Sequence, residues 1–252
     1  MSDRRPGQEI DELLARMDAI GAALDPGDAR RHFHSVYTRT TRAVADELAT
    51  RALGGFLDAD WVERWDVAFA GLYLDALAAW DRRQAPGPWS VAFTAAREQP
   101  DLAPLRHVLF GINAHVNYDL PQALLRVIAD EEFDDTAVVA RRAKDHEHID
   151  VVLAARVTAE DRSLEGSRTF VDRLLTPFNR AGTRRFLKEA RQKVWRNASA
   201  LSKARRDGEE AYRTRLRELE GLCADRVRDL TAPGQVILKL ARKGFGVVLS
   251  GA

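Results

Sequence analysis

The sequence predicts an all-α protein, a single multi-helix bundle of roughly eight to ten helices. Three observations carry this. Apolar residues recur at steps of three and four along almost the whole chain. No stretch alternates apolar and polar residues as a half-buried strand does. The charged content is 31%, which suits the wet faces of many helices.

Each element follows from its own spacing. Ile10, Leu13, Leu14, Met17 and Leu24 define the first helix, which stops near Asp25-Pro26-Gly27. Asp28 is placed to cap the second, with Phe33, Tyr37, Thr40, Val44 and Leu48 on one side, ending near Gly54-Gly55. Asp60 and Glu63 make a capping-box-like start for the third, whose stripe is Trp61, Trp65, Phe69, Leu72, Ala76 and Trp80. A Pro/Gly loop covers Ala85 to Trp89, and a short helix is expected over Val91 to Gln99. Pro104 sits where a helix begins. Pro121 must break, kink or restart one. Helical spacing continues over Leu120–Ala129, Thr136–Val157, Glu165–Thr176 and Arg184–Ser202. The last helix carries Tyr212, Leu216, Leu219, Cys223, Val227 and Leu230.

The length of 252 residues allows one large or two small domains. We expect a helical domain over 1–204, with 205–252 a C-terminal helix and tail docked on it. Lys and Arg number 39 against 38 Asp and Glu, so the net charge of +1 gives no reason to expect nucleic acid. The lone cysteine, Cys223, excludes an internal disulfide framework and fits a reducing compartment. The opening MSDRRPGQEI has no apolar core of signal-peptide length, and no apolar run reaches the roughly 18 residues of a membrane span. A soluble, cytoplasmic protein is expected. The tail VILKLARKGFGVVL, with Lys239, Arg242 and Lys243, fits docking on its own domain or a second subunit better than contact with a membrane or acidic partner.

The stretch Gly111 to Pro121, GINAHVNYDLP, carries the most chemistry. His115 and Asp119 stand four apart, about 6 Å along a helix axis and on one face. Leu105, Val108, Ile112 and Val116 give that segment its apolar stripe, and polar groups beside it need partners. The six histidines form three local pairs. Residues two apart on a helix point away from each other, so neither His32/His34 nor His146/His148 shares an ion. His107 and His115 are about 12 Å apart along the axis, too far for one ion. His32, His34, His107 and His148 are read as surface residues.

Two i,i+4 pairs survive, His115/Asp119 and His146/Asp150. On facing helices they could hold zinc or another divalent metal, with Asp66 a further member. The metal-free version uses His115 as general base, oriented by Asp119 or Asn117, with Asp66 or Tyr73 as acid. Plainer readings stand beside both. Asp119 could cap the helix after Pro121, His115 could be a satisfied core histidine, and Asp66 could bond a buried Trp or Tyr. Asn113 and Asn117 could anchor the proline break, and His146 lies in a charged run, RRAKDHEHID. No Gly-rich phosphate loop, GxSxG elbow or HExxH is present.

Ala114, His115, Asn117, Asp119, Leu120 and Pro121 form an AHxNxDLP signature. Upstream, Asp66, Val67, Phe69, Ala70, Leu72, Tyr73, Asp75, Ala76 and Leu77 fit LDVxFAxLYxDAL. Together with EARQKVW (Glu189 to Trp195), these resemble an actinobacterial family of helical proteins known only as a domain of unknown function, over residues of about 15 to 205. The resemblance implies a helical fold and no reaction. Gly111, His115 and Asp119 are also similar to the first part of the G-x3-H-x3-D-x-x-Q-P-x-H pattern of zinc-dependent phospholipase C and the related single-strand nucleases. Here Pro121 comes two positions early, and Leu125, the neighbour of Leu124, replaces the next histidine. That similarity implies at most a smaller metal site.

Two functions follow. One is a small-molecule enzyme, of a kind expected in specialised metabolism, using metal-assisted hydrolysis or acid/base chemistry such as cyclisation or isomerisation. The other is a non-catalytic scaffold or binding protein whose His/Asp/Asn cluster is structural. A cavity of about 300 Å³ or more opening onto His115 would favour the enzyme, and a filled, fully bonded core around it would favour the scaffold.

Overall fold

The computed structural model describes residues 7–163, 180–232, 234 and 244–251. Its helices are α1 (Gln8–Ala23), α2 (Arg30–Thr50), α3 (Ala59–Trp80), α4 (Gly87–Glu98), α5 (Pro104–Ala114), α6 (Leu120–Val127), α7 (Thr136–Ser163), α8 (Arg180–Asp207) and α9 (Glu209–Thr231). A π turn over His115–Asp119 joins α5 to α6, and a 3-10 turn over Asp130–Asp134 precedes α7. No strand occurs among the described residues, so the chain is all-α as expected. The Glu165–Thr176 segment lies outside the described residues, as do Lys239, Arg242 and Lys243.

Pro121 does not stop the helix. A proline in regular α-helix has no N–H to give and its ring strikes the carbonyl four residues back. The π turn just before it widens the helix by one residue, with the Leu120 N–H bonded to the His115 carbonyl. The chain therefore runs from α5 into α6 without a loop. Asp119 does not cap α6, contrary to the plainer reading of that residue. Its carboxylate is turned into the core.

Helix starts are also set differently from the spacing argument. Asp58, not Asp60, caps α3, accepting the Trp61 N–H at 3.1 Å. Glu63 instead reaches the start of α1, where it accepts the N–H groups of Gly7, Glu9 and Ile10. This carboxylate at a helix N-terminus satisfies orphan donors and suits the helix dipole. Helix α4 begins at Gly87, inside the stretch read as loop.

Helix α9 packs against α4, α5 and α8, and one buried apolar cluster runs from Ile10 on α1 to Leu249 at the C-terminus. Arg106 on α5 donates to the last carbonyls of α9, at Leu230, Thr231 and Ala232. The segment 244–251 docks on the same core through Phe245, Val247 and Leu249. Asn197 on α8 pins it through both atoms of its amide, donating to the Val247 carbonyl and accepting from the Leu249 N–H, each at 3.0 Å.

Candidate active site

Three helices and the π turn bring their polar groups to one place. On α2, Phe33, Tyr37 and Thr41 are spaced by four and all buried. On α3, Asp66, Phe69 and Tyr73 share one face at steps of three and four. Trp89 comes from the first turn of α4. His115 and Asp119 come from the π turn, each 2% exposed. Gly111, one turn before His115, lets the motif backbone press against Phe33. A Cβ there would lie 2.3 Å from Phe33 Cγ.

His115 sits in a box of aromatic rings. Its imidazole lies flat on Phe69, with centroids 3.6 Å apart and planes 4° from parallel. Tyr37 meets it edge-on at 4.4 Å. Phe33, Tyr73 and Trp89 stand around it at about 6 Å.

His115 Nδ1 is 2.8 Å from Asp119 Oδ2, and the Trp89 Nε1–H donates to that same oxygen at 2.8 Å. An indole can only donate, so Oδ2 accepts from Trp89, and with Asp119 ionised it accepts from His115 Nδ1–H as well. Nε2 is then the lone-pair nitrogen. Burial lowers the His115 imidazole below its ordinary range, opposed by Asp119. Burial raises the Asp119 carboxyl, opposed by His115 and Trp89.

His115 Nε2 is buried and has no hydrogen-bond partner among the described residues. Among the described residues Asp66 Oδ2 is also without a partner, and the buried hydroxyls of Tyr37 and Thr41, one turn apart on α2, have only each other nearby. Burial pushes the Asp66 carboxyl up to about 7, so near neutrality it can hold a proton. Burial, and then the nearby Asp66, hold the Tyr37 phenol well above its ordinary range. One lone-pair nitrogen thus shares a buried region with a protonatable acid and two hydroxyls.

Residues 10–233 match a family model. The chain belongs to DUF5995, a family of unknown function. No curated protein and no solved structure matches it. The family match extends beyond the span of about 15 to 205 carried by the sequence resemblance, and takes in α9.

In this DUF5995 chain the other expected site residues go to different places. The Tyr73 hydroxyl is 3.0 Å from His34 Nδ1, and His34 Nε2 is 2.8 Å from the Met17 carbonyl. A carbonyl only accepts, so His34 Nε2 carries hydrogen and Nδ1 accepts from Tyr73. Tyr73 is thus held by His34 rather than aimed at His115. Asn117 spends its amide on Asn113 Oδ1 and the Phe245 carbonyl, which makes it an anchor for the C-terminal segment.

The four-residue metal set is not assembled. Asp150 is ion-paired with Arg191 and does not bond His146. His146 lies edge-on to Trp65 at 5.0 Å, and burial pushes it down to about 3. No group of three or more His, Cys, Asp and Glu among the described residues is placed to hold one ion. His34 and His107 are buried rather than on the surface. His148 is partly buried and is 3.1 Å from Glu47 Oε1.

Tyr37, Phe69 and Trp89 are the residues that spacing did not single out for chemistry. Tyr37 and Phe69 look like ordinary stripe residues, and Trp89 falls in an apparent loop. The available signal was the tryptophan itself, because a buried indole N–H needs an acceptor.

Two hollows of about 450 and 480 Å³ open on the surface. The first is bordered by α2 and α7, the second by α7, α8 and α9, and neither is lined by His115. Phe69, half-buried, covers one face of the imidazole.

Proposed function

We propose that this chain is a small-molecule enzyme working by acid/base chemistry, with His115 as the base and Asp66 as the acid. One observation carries the reading. His115 Nε2 is a buried lone-pair nitrogen without a partner, while Nδ1 is fixed on a carboxylate that Trp89 also holds. A carboxylate behind an imidazole fixes tautomer and orientation and stabilises the imidazolium formed when Nε2 takes a proton. Asp66, raised to about 7, can return a proton to the substrate. Tyr37 can hold the same oxygen or nitrogen through its hydroxyl. Proton abstraction followed by reprotonation, as in isomerisation or cyclisation, uses these groups without a metal. A metal-assisted hydrolysis would need more ligands than the paired His115 and Asp119 supply. The aromatic box suits a compact, largely apolar substrate, consistent with specialised metabolism. The buried thiol of Cys223 suits a cytoplasmic setting.

Substrate reaches Nε2 only if Phe69 or Tyr37 moves off the ring. The test is conversion of a cell-extract metabolite pool followed by mass spectrometry, with wild type beside His115→Gln and Asp66→Asn. The wild type should deplete one component and form one product. Both variants should lose that conversion while melting as cooperative folded proteins. Conversion retained by His115→Gln, or none by the wild type, overturns the reading.

The enclosure of the ring supports a second reading, in which the cluster is a structural knot that fixes α2, α3 and α4 around the π turn. In that case His115→Gln lowers stability by about 1–3 kcal/mol and changes no metabolite.

A further inference from the structure

The hollow of about 480 Å³ between α7, α8, α9 and the C-terminal turn is far from the His115 box in its residues and shares none with it. Its volume lies within the range of small-molecule sites. On α8, Arg196, Ser199 and Lys203 line it at positions spaced by three and four, so they stand along one face. Arg215 enters from α9, and Asp207 is the acidic residue of the lining.

Charge pairing distinguishes two of these cations. The arginines at 205 and 206, also on α8, are bonded to Asp130 and Asp134. Arg191 pairs with Asp150, and Arg215 itself with Glu218 at 2.8 Å. Arg196 and Lys203 have no carboxylate partner among the described residues, and a serine hydroxyl lies between them. In a chain with a net charge of only +1, two unpaired cations outweigh Asp207 at this hollow and leave its rim positive. The rest of the wall is apolar. Val139, Ala200 and Ala204 line it, with the ring of Trp195, whose Nε1–H is buried and has no partner.

We propose that this hollow binds a small molecule with an anionic group and an apolar or aromatic body. Arg196 and Lys203 hold the anion, and Trp195 with the neighbouring alanines holds the body. Charge-assisted hydrogen bonds fix one end and an apolar wall buries the other, which is the usual division of labour in a ligand site.

The test uses the full chain, isotope-labelled, with phenyl phosphate, inorganic phosphate and a single-stranded oligonucleotide as probes. The Trp195 indole N–H resonance, identified by its loss in Trp195→Phe, reports occupancy. Phenyl phosphate should shift it saturably at concentrations up to about 10 mM, and more tightly than inorganic phosphate. The exposed pair Arg196→Gln with Lys203→Gln should weaken that binding about tenfold or more, without changing the melting transition. No shift with phenyl phosphate, or a shift unchanged by the double substitution, overturns the proposal. Equal binding of inorganic and phenyl phosphate overturns the ligand class, and tighter binding of the oligonucleotide replaces it with nucleic acid. The outcome does not depend on whether His115 is catalytic.

Discussion

The imidazole of His115 and the phenyl ring of Phe69 lie face to face, 3.6 Å between centroids and 4° from parallel. The rest of the imidazole is enclosed by other rings of the core, while Phe69 itself is half-buried. Phe69 is therefore both a packing partner and the cover on one face of this imidazole. Phe69→Ala should expose that ring. Diethyl pyrocarbonate should then acylate His115 many times faster than in the wild type, read by peptide mass. The cost in stability should be about 3–5 kcal/mol if the gap does not collapse. An unchanged labelling rate would show that the ring is covered by other residues.

Asp119 Oδ2 takes two donors, one from His115 and one from Trp89. The two bonds share an acceptor, so their energies should not add. Trp89→Phe removes one donor together with part of a fully buried ring, so its cost includes lost packing that the cycle cancels. His115→Gln replaces the other. Each should cost about 1–3 kcal/mol, and the double variant should differ from the sum by roughly 0.5–3 kcal/mol. Chemical denaturation of the four proteins measures this. Strict additivity would mean that the two bonds are independent.

Gly111→Ala sets two opposed effects against each other. Alanine in a helix interior gains about 1 kcal/mol over glycine. The new methyl, however, would lie 2.3 and 2.4 Å from two ring carbons of Phe33. Phe33 cannot step aside easily, because Tyr37, Tyr73, Trp89 and His115 all contact its ring. The clash should win, with a net loss of about 1–3 kcal/mol. A smaller residue at 33, in Gly111→Ala with Phe33→Leu, should recover part of it. Melting curves of Gly111→Ala, Phe33→Leu and the double variant decide the matter.

These same residues show what a sequence can and cannot tell. The helical class was readable because burial imposes a period on apolar residues, and α1, α3 and α9 follow it closely. The His115/Asp119 pair was readable because i,i+4 spacing survives even through a π turn. The π turn itself was not, since nothing but Pro121 marks it, and a proline equally fits a break. Caps failed for a related reason. Glu63 has the local spacing of a capping box, yet it serves α1, fifty-odd residues away in sequence. His146 and Asp150 also have ligand spacing, but Arg191 on α8 takes the carboxylate. Local spacing states which pairs are able to meet. Tertiary partners decide which pairs do.

Two buried groups give stability a pH dependence of opposite sign. His146, pushed down to about 3, is neutral when folded and binds a proton near pH 6.5 when unfolded. The unfolded chain therefore holds more protons between these values, and this contribution to stability falls as pH drops from about 6.5 toward 3. Asp66, raised to about 7 from 3.8, behaves the other way. Folded Asp66 keeps its proton while unfolded Asp66 loses it. Its contribution is fully present below about pH 4 and is lost as pH rises to about 7. Between about pH 4 and 6.5 the two slopes oppose each other. Replacing each group isolates the other. His146→Phe should flatten the acid limb, so that stability declines less from pH 6.5 to 4. Asp66→Asn should remove the loss toward neutral pH, worth up to about 4 kcal/mol for a shift of this size. Urea denaturation at pH 4, 5.5 and 7.5 separates them. If Asp66→Asn follows the wild-type slope between pH 4 and 7, the Asp66 carboxyl is not protonated in the folded protein, and it cannot be the acid that His115 needs.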